Sequence, residues 1–121
     1  MWFVSRDPKR EELRHIPLFA QLSRKQLDLL TRNADILEVP ARTELIREGE
    51  SGHEFFAISE GAVVISKSGE RVAVEGAGDV FGEIALLHGV PRTATVTTTV
   101  HSRLVVLTEQ AFRSLLVRSF T

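Results

Sequence analysis

No cysteine occurs in the 121-residue chain, so disulfides and thiolate metal sites are excluded, and the absence weakly favours a cytosolic origin. A dominant charge is missing too: 15 Lys and Arg stand against 16 Asp and Glu, for a net charge of −1. With both signs well mixed, no basic stripe invites nucleic acid and no acidic tail suggests a partner. No apolar run approaches the roughly 20 residues that cross a bilayer. The opening Met1-Trp2-Phe3-Val4, followed by Ser5-Arg6-Asp7-Pro8, lacks the charged-then-apolar order of a signal peptide. Internal repeats, low-complexity tracts and linkers are absent as well. What remains is one expected domain, 1–121, whose 43% hydrophobic content suffices for a single core. The expected location is the cytoplasm, free or as the cytosolic part of a membrane protein.

The pattern predicts helices at both ends and short strands between. Asp7-Pro8 is a helix start, with Asp as cap and Pro in the first turn; that helix should stop before Pro17. A second should begin at Ser23, where Ser23 and Gln26 form a capping box and Leu22 staples onto Leu27. Its apolar face is Leu27, Leu30 and Ala34, and Asn33 marks its end. From Ile36 to Leu107 apolar residues alternate with polar ones, at Leu37 and Val39, Val72 and Val74, and Val96 and Val100. Glycine-bearing turns at Gly49, Gly52, Gly61, Gly69, Gly76 and Gly78 separate the runs. Short strands spaced every ~8–12 residues argue for a sandwich or jelly roll. Helix returns at Thr108, with Phe112, Leu115, Leu116 and Phe120 on one face. The expected fold is therefore α+β: an antiparallel β jelly-roll barrel over about 36–107, helices over about 8–34, a short helix over about 82–88, and a C-terminal helix over about 108–119.

One stretch carries most of the chemistry: Phe81-Gly82-Glu83-Ile84-Ala85-Leu86-Leu87-His88-Gly89-Val90-Pro91-Arg92-Thr93-Ala94-Thr95-Val96. A glycine lets the backbone approach a ligand closely. Free N–H groups at a helix start attract an anion, and an arginine grips two phosphate oxygens with its planar fork. The stretch reads as a cradle for one negatively charged phosphate beside a group that offers a hydroxyl proton.

F-G-E-I-A-L followed by P-R-T-A-T-V resembles the phosphate-binding cassette of cyclic nucleotide-binding domains. These occur in kinase regulatory subunits, cyclic nucleotide-gated channels and catabolite-activator-type regulators. Leu45-Ile46-Arg47-Glu48-Gly49-Glu50 resembles the family's glycine turn, and Glu54-Phe55-Phe56-Ala57-Ile58-Ser59-Glu60-Gly61 its following strand. The similarity runs from about Ile16 to Leu116. It implies a double-stranded β-helix fold and a 3′,5′-cyclic nucleotide as ligand, cAMP in preference to cGMP, with no other cofactor. It assigns Arg92 to the cyclic phosphate and Glu83 to the ribose 2′-hydroxyl. Gly82, Ile84 and Ala85 would supply backbone N–H groups around both. Thr93 would bond a phosphate oxygen through its N–H and hydroxyl; threonine here helps favour guanine in some members and occurs in cAMP-preferring ones too. Ala94 would be small for packing, and Ile65, Val72 and Val74 would form the wall against the base.

The resemblance also implies a further helix that closes over the base and an output domain. The sequence ends at Thr121, in or just after the helix expected from Thr108, so a domain of a longer protein is expected, joined to an effector. Binding should shift the terminal helices through Phe112, Leu115 and Leu116. Two other readings are weaker. A degenerate domain serving interaction or dimerisation conflicts with the intact glycine, glutamate and arginine. A cupin-type metal enzyme needs clustered histidines, whereas His15, His53, His88 and His101 are scattered. No Gly-x-Ser-x-Gly elbow suggests a hydrolase, so a sensor and not an enzyme is expected. DNA binding by this segment is not expected either.

Overall fold

The computed structural model describes residues 3–4 and 9–117. The expected cap at Asp7-Pro8, the side chain of Leu116, and Phe120 lie outside the described residues.

Helix α1 (Lys9–Arg14) ends ahead of Pro17. Pro17 then opens a further short helix, α2 (Pro17–Ala20), which the sequence reading omitted. Proline breaks a helix interior but suits its first turn, where the missing N–H has no partner to lose. Helix α3 (Arg24–Asn33) carries the expected capping box: Ser23 N–H donates to Gln26 Oε1 at 2.9 Å, and Gln26 N–H donates to Ser23 Oγ at 3.2 Å. Leu27 and Leu30 are buried by it.

The strands are β1 (Phe3–Val4), β2 (Ala34–Val39), β3 (Glu44–Ile46), β4 (Glu54–Glu60), β5 (Ala62–Lys67), β6 (Glu70–Gly76), β7 (Val80–Phe81), β8 (Thr95–Thr98) and β9 (Ser102–Thr108). They form two antiparallel sheets, in the orders β1-β2-β9-β4-β7 and β3-β8-β5-β6. Val100, expected in a strand, lies just past β8 and is exposed. Helix α4 (Glu83–His88) follows β7, and α5 (Glu109–Phe112) leads into a π-helical turn, Arg113–Val117. That turn is wider than the continuous helix expected there. Among the described residues no helix is long and apolar enough to cross a membrane.

The first sheet is covered on both faces, which explains its unbroken apolar runs. On β4, Phe55 and Ala57 face the helices, whereas Phe56 and Ile58 face the second sheet; on β9, Val105 and Leu107 face the helices and Leu104 the other side. Phe55 stacks on Phe112 of α5 with ring centroids 4.8 Å apart, and Phe56 stacks on Phe81 at 5.0 Å. A strand buried on both faces cannot show a polar alternation. The two cores, one under the helices and one inside the roll, share this sheet; Leu86 of α4 belongs to the first and Phe81, just ahead of α4, to the second.

Candidate functional site

The site begins where β7 turns into α4. Gly82, the residue ahead of the helix, has φ +94°, which disfavours any residue with a Cβ. A Cβ there would also sit 3.0 Å from the Glu54 carbonyl oxygen and 3.1 Å from Arg92 Nη1. Helix α4 buries Ala85 and Leu86 and leaves Ile84 and Leu87 exposed. Gly89, at φ +63°, closes it, with its N–H on the Ala85 carbonyl. So a left-handed glycine at each end confines the helix to six residues, Glu83–His88.

Arg92 is held from three directions. Its backbone is clamped by the glycine turn, with Gly49 N–H on the Arg92 carbonyl at 2.8 Å and Arg92 N–H on the Glu50 carbonyl at 2.9 Å. Its guanidinium donates from Nη1 to the Gly82 carbonyl at 3.0 Å and from Nη2 to the Glu54 carbonyl at 2.8 Å. Glu54 Oε1 lies 3.8 Å from Nη2. Gly52 packs flat against the side chain: a Cβ added there would fall 1.8 Å from Arg92 Nε. The residue is only 5% exposed, and burial lowers its pKa, opposed by the charge of Glu54. Two of the five N–H donors of a guanidinium thus go to backbone carbonyls, and the fork remains fixed at the edge of a cavity.

That cavity holds about 250 Å³. Gly82, Glu83, Ile84 and Ala85 line one side, Arg92, Thr93 and Ala94 another, and Ile65 and Val72 the sheet wall. Every expected contact residue borders this one space except Val74. Val74 pairs with Val64 rather than with the inward Val63 or Ile65, is 60% exposed, and does not line the cavity. The cause is a bulge in the β5–β6 hairpin. Ile65 opposes Ala73 whereas Ser66 opposes Arg71, so Val72 is the extra residue and the facing parity changes across it.

The same register puts a residue in the cavity that the sequence reading did not single out. Glu75 pairs with the buried Val63 and lines the wall, as does Lys67 at the far end of the hairpin. Glu75 Oε1 and Glu83 Oε2 are both buried without a hydrogen-bond partner. Burial pushes the Glu75 carboxyl above its ordinary value, helped by the charges of Asp79 and Glu83. Burial raises Glu83 likewise, partly offset by its own backbone N–H. Buried polar atoms left unpaired are uncommon in folded proteins, and here two of them border one cavity beside a buried arginine. The arrangement suits a monoanion carrying hydrogen-bond donors. The signal for Glu75 was present in the chain, as an acidic residue one step from Gly76 inside an apolar strand, but its facing depends on the bulge.

The histidines stay apart: His53 Nδ1 contacts Glu109 at 3.3 Å and His101 Nε2 contacts Glu38 at 2.7 Å. Among the described residues no three His, Asp or Glu gather in a metal-binding group.

Comparison with known proteins gives a concordant picture. The cyclic nucleotide-binding domain matches residues 36–119. The cAMP-dependent protein kinase regulatory subunit of Mycosarcoma maydis is 37% identical over 113 residues, 86% of this chain and 22% of that protein. The cGMP-dependent protein kinase of Toxoplasma gondii is 39% identical over 88 residues, 73% of this chain and 9% of that protein. Among solved structures, the regulatory domain of Toxoplasma gondii PKA with cAMP superposes with a TM-score of 0.84 at 33% identity, covering 95% of this chain and 47% of that one. The chain thus spans a quarter or less of the length of these two curated relatives.

Proposed function

The chain belongs to the cyclic nucleotide-binding domain family, and from that premise we propose that residues 1–121 form one regulatory domain, a sensor and not an enzyme, that binds a 3′,5′-cyclic nucleotide and relays its occupancy to an effector. The observation that carries this reading is the shared cavity of Arg92 and Glu83. A cyclic phosphate is a diester with a single negative charge, which one buried guanidinium balances. The ribose 2′-hydroxyl is the donor that Glu83 Oε2 lacks. Backbone N–H groups of the Gly82–Ala85 segment and of Thr93 complete the cradle.

The relay runs through packing. Leu86 of the cassette helix belongs to the same core cluster as Phe112 and Leu115, and Arg113 Nη2 donates to the Leu86 carbonyl. A ligand shifts an equilibrium only by its differential affinity for the two states. A helix arrangement that changes the geometry of α4 therefore meets the requirement. Relatives of the chain include kinases named for cAMP and for cGMP alike, so the choice between the adenine expected from sequence and guanine falls to the pocket wall.

Calorimetry with cAMP, cGMP and 2′-deoxy-cAMP tests the reading. A charge-assisted hydrogen bond contributes ~1.5–3 kcal/mol, so Arg92→Ala should weaken binding of both nucleotides at least tenfold, and the 2′-deoxy analogue should bind poorly. Equal heats from wild type and Arg92→Ala would overturn it.

A further inference from the structure

The sheet wall of the cavity is polar at both ends and apolar between. On β5, Val63 opposes Glu75 and Lys67 opposes Glu70; four residues of strand separate these rungs by about 13 Å. Ile65 and Val72 lie between them and face the cavity. Glu75 is at the cassette end, where it lines the same cavity as Glu83. Lys67 lines the cavity from the opposite end. A planar purine resting on this wall with its ribose at Glu83 would turn its sugar edge to Glu75 and its far edge to Lys67.

We propose that Glu75 and Lys67 read the base, and that their order along the wall selects guanine over adenine. The inference rests on the cyclic nucleotide reading above and assigns the base within it. A carboxylate offers only acceptors and an ammonium only donors. Guanine carries the N2 amine, a donor, on its sugar edge, and the O6 and N7 acceptors on the opposite one. Both ends of the wall then find a complement, and the buried Glu75 Oε1 gains the partner it lacks. Adenine reverses the match at Glu75, presenting the N3 acceptor where a donor is needed. At Lys67 it keeps N7 but places its N6 amine, a donor, where guanine has O6. Leaving a buried carboxylate oxygen against an acceptor is the costlier fault, because the group stays desolvated and unpaired.

Competition calorimetry with cGMP and cAMP on the whole chain tests this. Wild type should bind cGMP at least about tenfold more tightly than cAMP, the scale of one good base contact. Glu75→Gln supplies an amide with both a donor and an acceptor, so it should collapse that ratio, chiefly by improving cAMP. Lys67→Met, at an exposed position that the fold does not need, should weaken cGMP more than cAMP. Wild-type binding of cAMP as tight as cGMP, or a ratio unchanged in both variants, overturns the assignment of the base. If either nucleotide then still binds in an Arg92-dependent way, the sensor reading stands without it. If neither nucleotide binds saturably, both readings fall together.

Discussion

Arg92 shows how a surface-seeking side chain is held fixed inside a fold, as the anion receptor proposed above requires. A buried charge is costly unless paired and hydrogen-bonded, and here the Gly82 and Glu54 carbonyls share that task. They also set the direction of the remaining N–H groups. Lysine has no planar fork and could not hold two carbonyls while facing a phosphate. Arg92→Lys should therefore lose at least about tenfold in cyclic nucleotide affinity, close to the alanine variant. Gly52 supplies a subtler check. A methyl group there would fall on Arg92 Nε and Cζ, so the buried guanidinium would have to leave the Gly82 and Glu54 carbonyls. Gly52→Ala should cut affinity by a factor comparable to Arg92→Lys and lower the melting temperature too, because a buried charge loses its partners, as calorimetry and thermal unfolding on the same sample would show.

Glu83 has the opposite balance between stability and binding. Burial raises its pKa, so the native state favours the neutral carboxyl, and that contribution is complete below the ordinary carboxylate pKa. It is lost as pH rises through the raised native value. At neutral pH this buried carboxyl, with its Oε2 left without a partner, is a liability of the ligand-free protein. Glu83→Gln should then be the more stable protein at neutral pH, with the difference vanishing as pH falls below the ordinary carboxylate range. The same substitution should narrow the gap between cAMP and its 2′-deoxy analogue. Urea titrations across pH and paired calorimetry measure the two effects, which together would show stability surrendered at the proposed binding site.

Among the elements, the legible ones were those specified by neighbours in sequence. The Ser23–Gln26 box, the start of α5 at Thr108 and the helix between Gly82 and Gly89 depend on contacts within one or two turns. The cassette was readable for the same reason, since its glycine, carboxylate and arginine fall within eleven residues, Gly82 to Arg92. What escaped was decided across the fold. The side on which Val72, Val74 and Glu75 emerge is set by a bulge in the β5–β6 pairing, which alternation alone cannot reveal. Strands β4 and β9 show no alternation because helices cover their second face. The role of the glycine turn, which is to clamp Arg92 by two backbone hydrogen bonds, joins residues more than forty positions apart. A contact of the same nonlocal kind links α4 to the C-terminal turn, where Arg113 reaches the Leu86 carbonyl. If that contact helps carry the signal, ligand should slow amide exchange in both α4 and residues 109–117 of wild type. In Arg113→Met the slowing should persist in α4 and fade in 109–117, with affinity little changed.

At the scale of the whole molecule, the helices must be tied to the roll for any cassette movement to matter, and Arg103 on β9 makes one of these ties. Its Nε is 2.6 Å from Glu38 on β2, and its Nη1 is 3.1 Å from Glu12 on α1 and 2.7 Å from Glu60 on β4. Glu12 also accepts from Ser59, and His101 adds a second contact to Glu38. Four elements therefore converge on one guanidinium that is itself largely shielded. Glu38 is only 8% exposed. Burial alone would raise its pKa, but hydrogen bonds from Arg103 and His101, with their charges, outweigh that and hold it below the ordinary value. A depressed carboxylate stabilises the fold above its unfolded pKa, and this contribution disappears as pH falls through the lower native value. Removing Arg103 takes away the larger of these hydrogen bonds and leaves Glu38 desolvated with only His101 beside it. Arg103→Leu should cost about 3 kcal/mol at neutral pH, the scale of a broken buried pair. That cost should shrink as acid protonates the stranded Glu38. Restoring neutrality by Glu38→Gln in the same chain should recover part of the loss, by an amount that a double-mutant cycle isolates. Denaturant unfolding of the four proteins at neutral and acidic pH decides the matter: a loss independent of pH, with no recovery in the double variant, would mean that Arg103 stabilises the fold by packing alone.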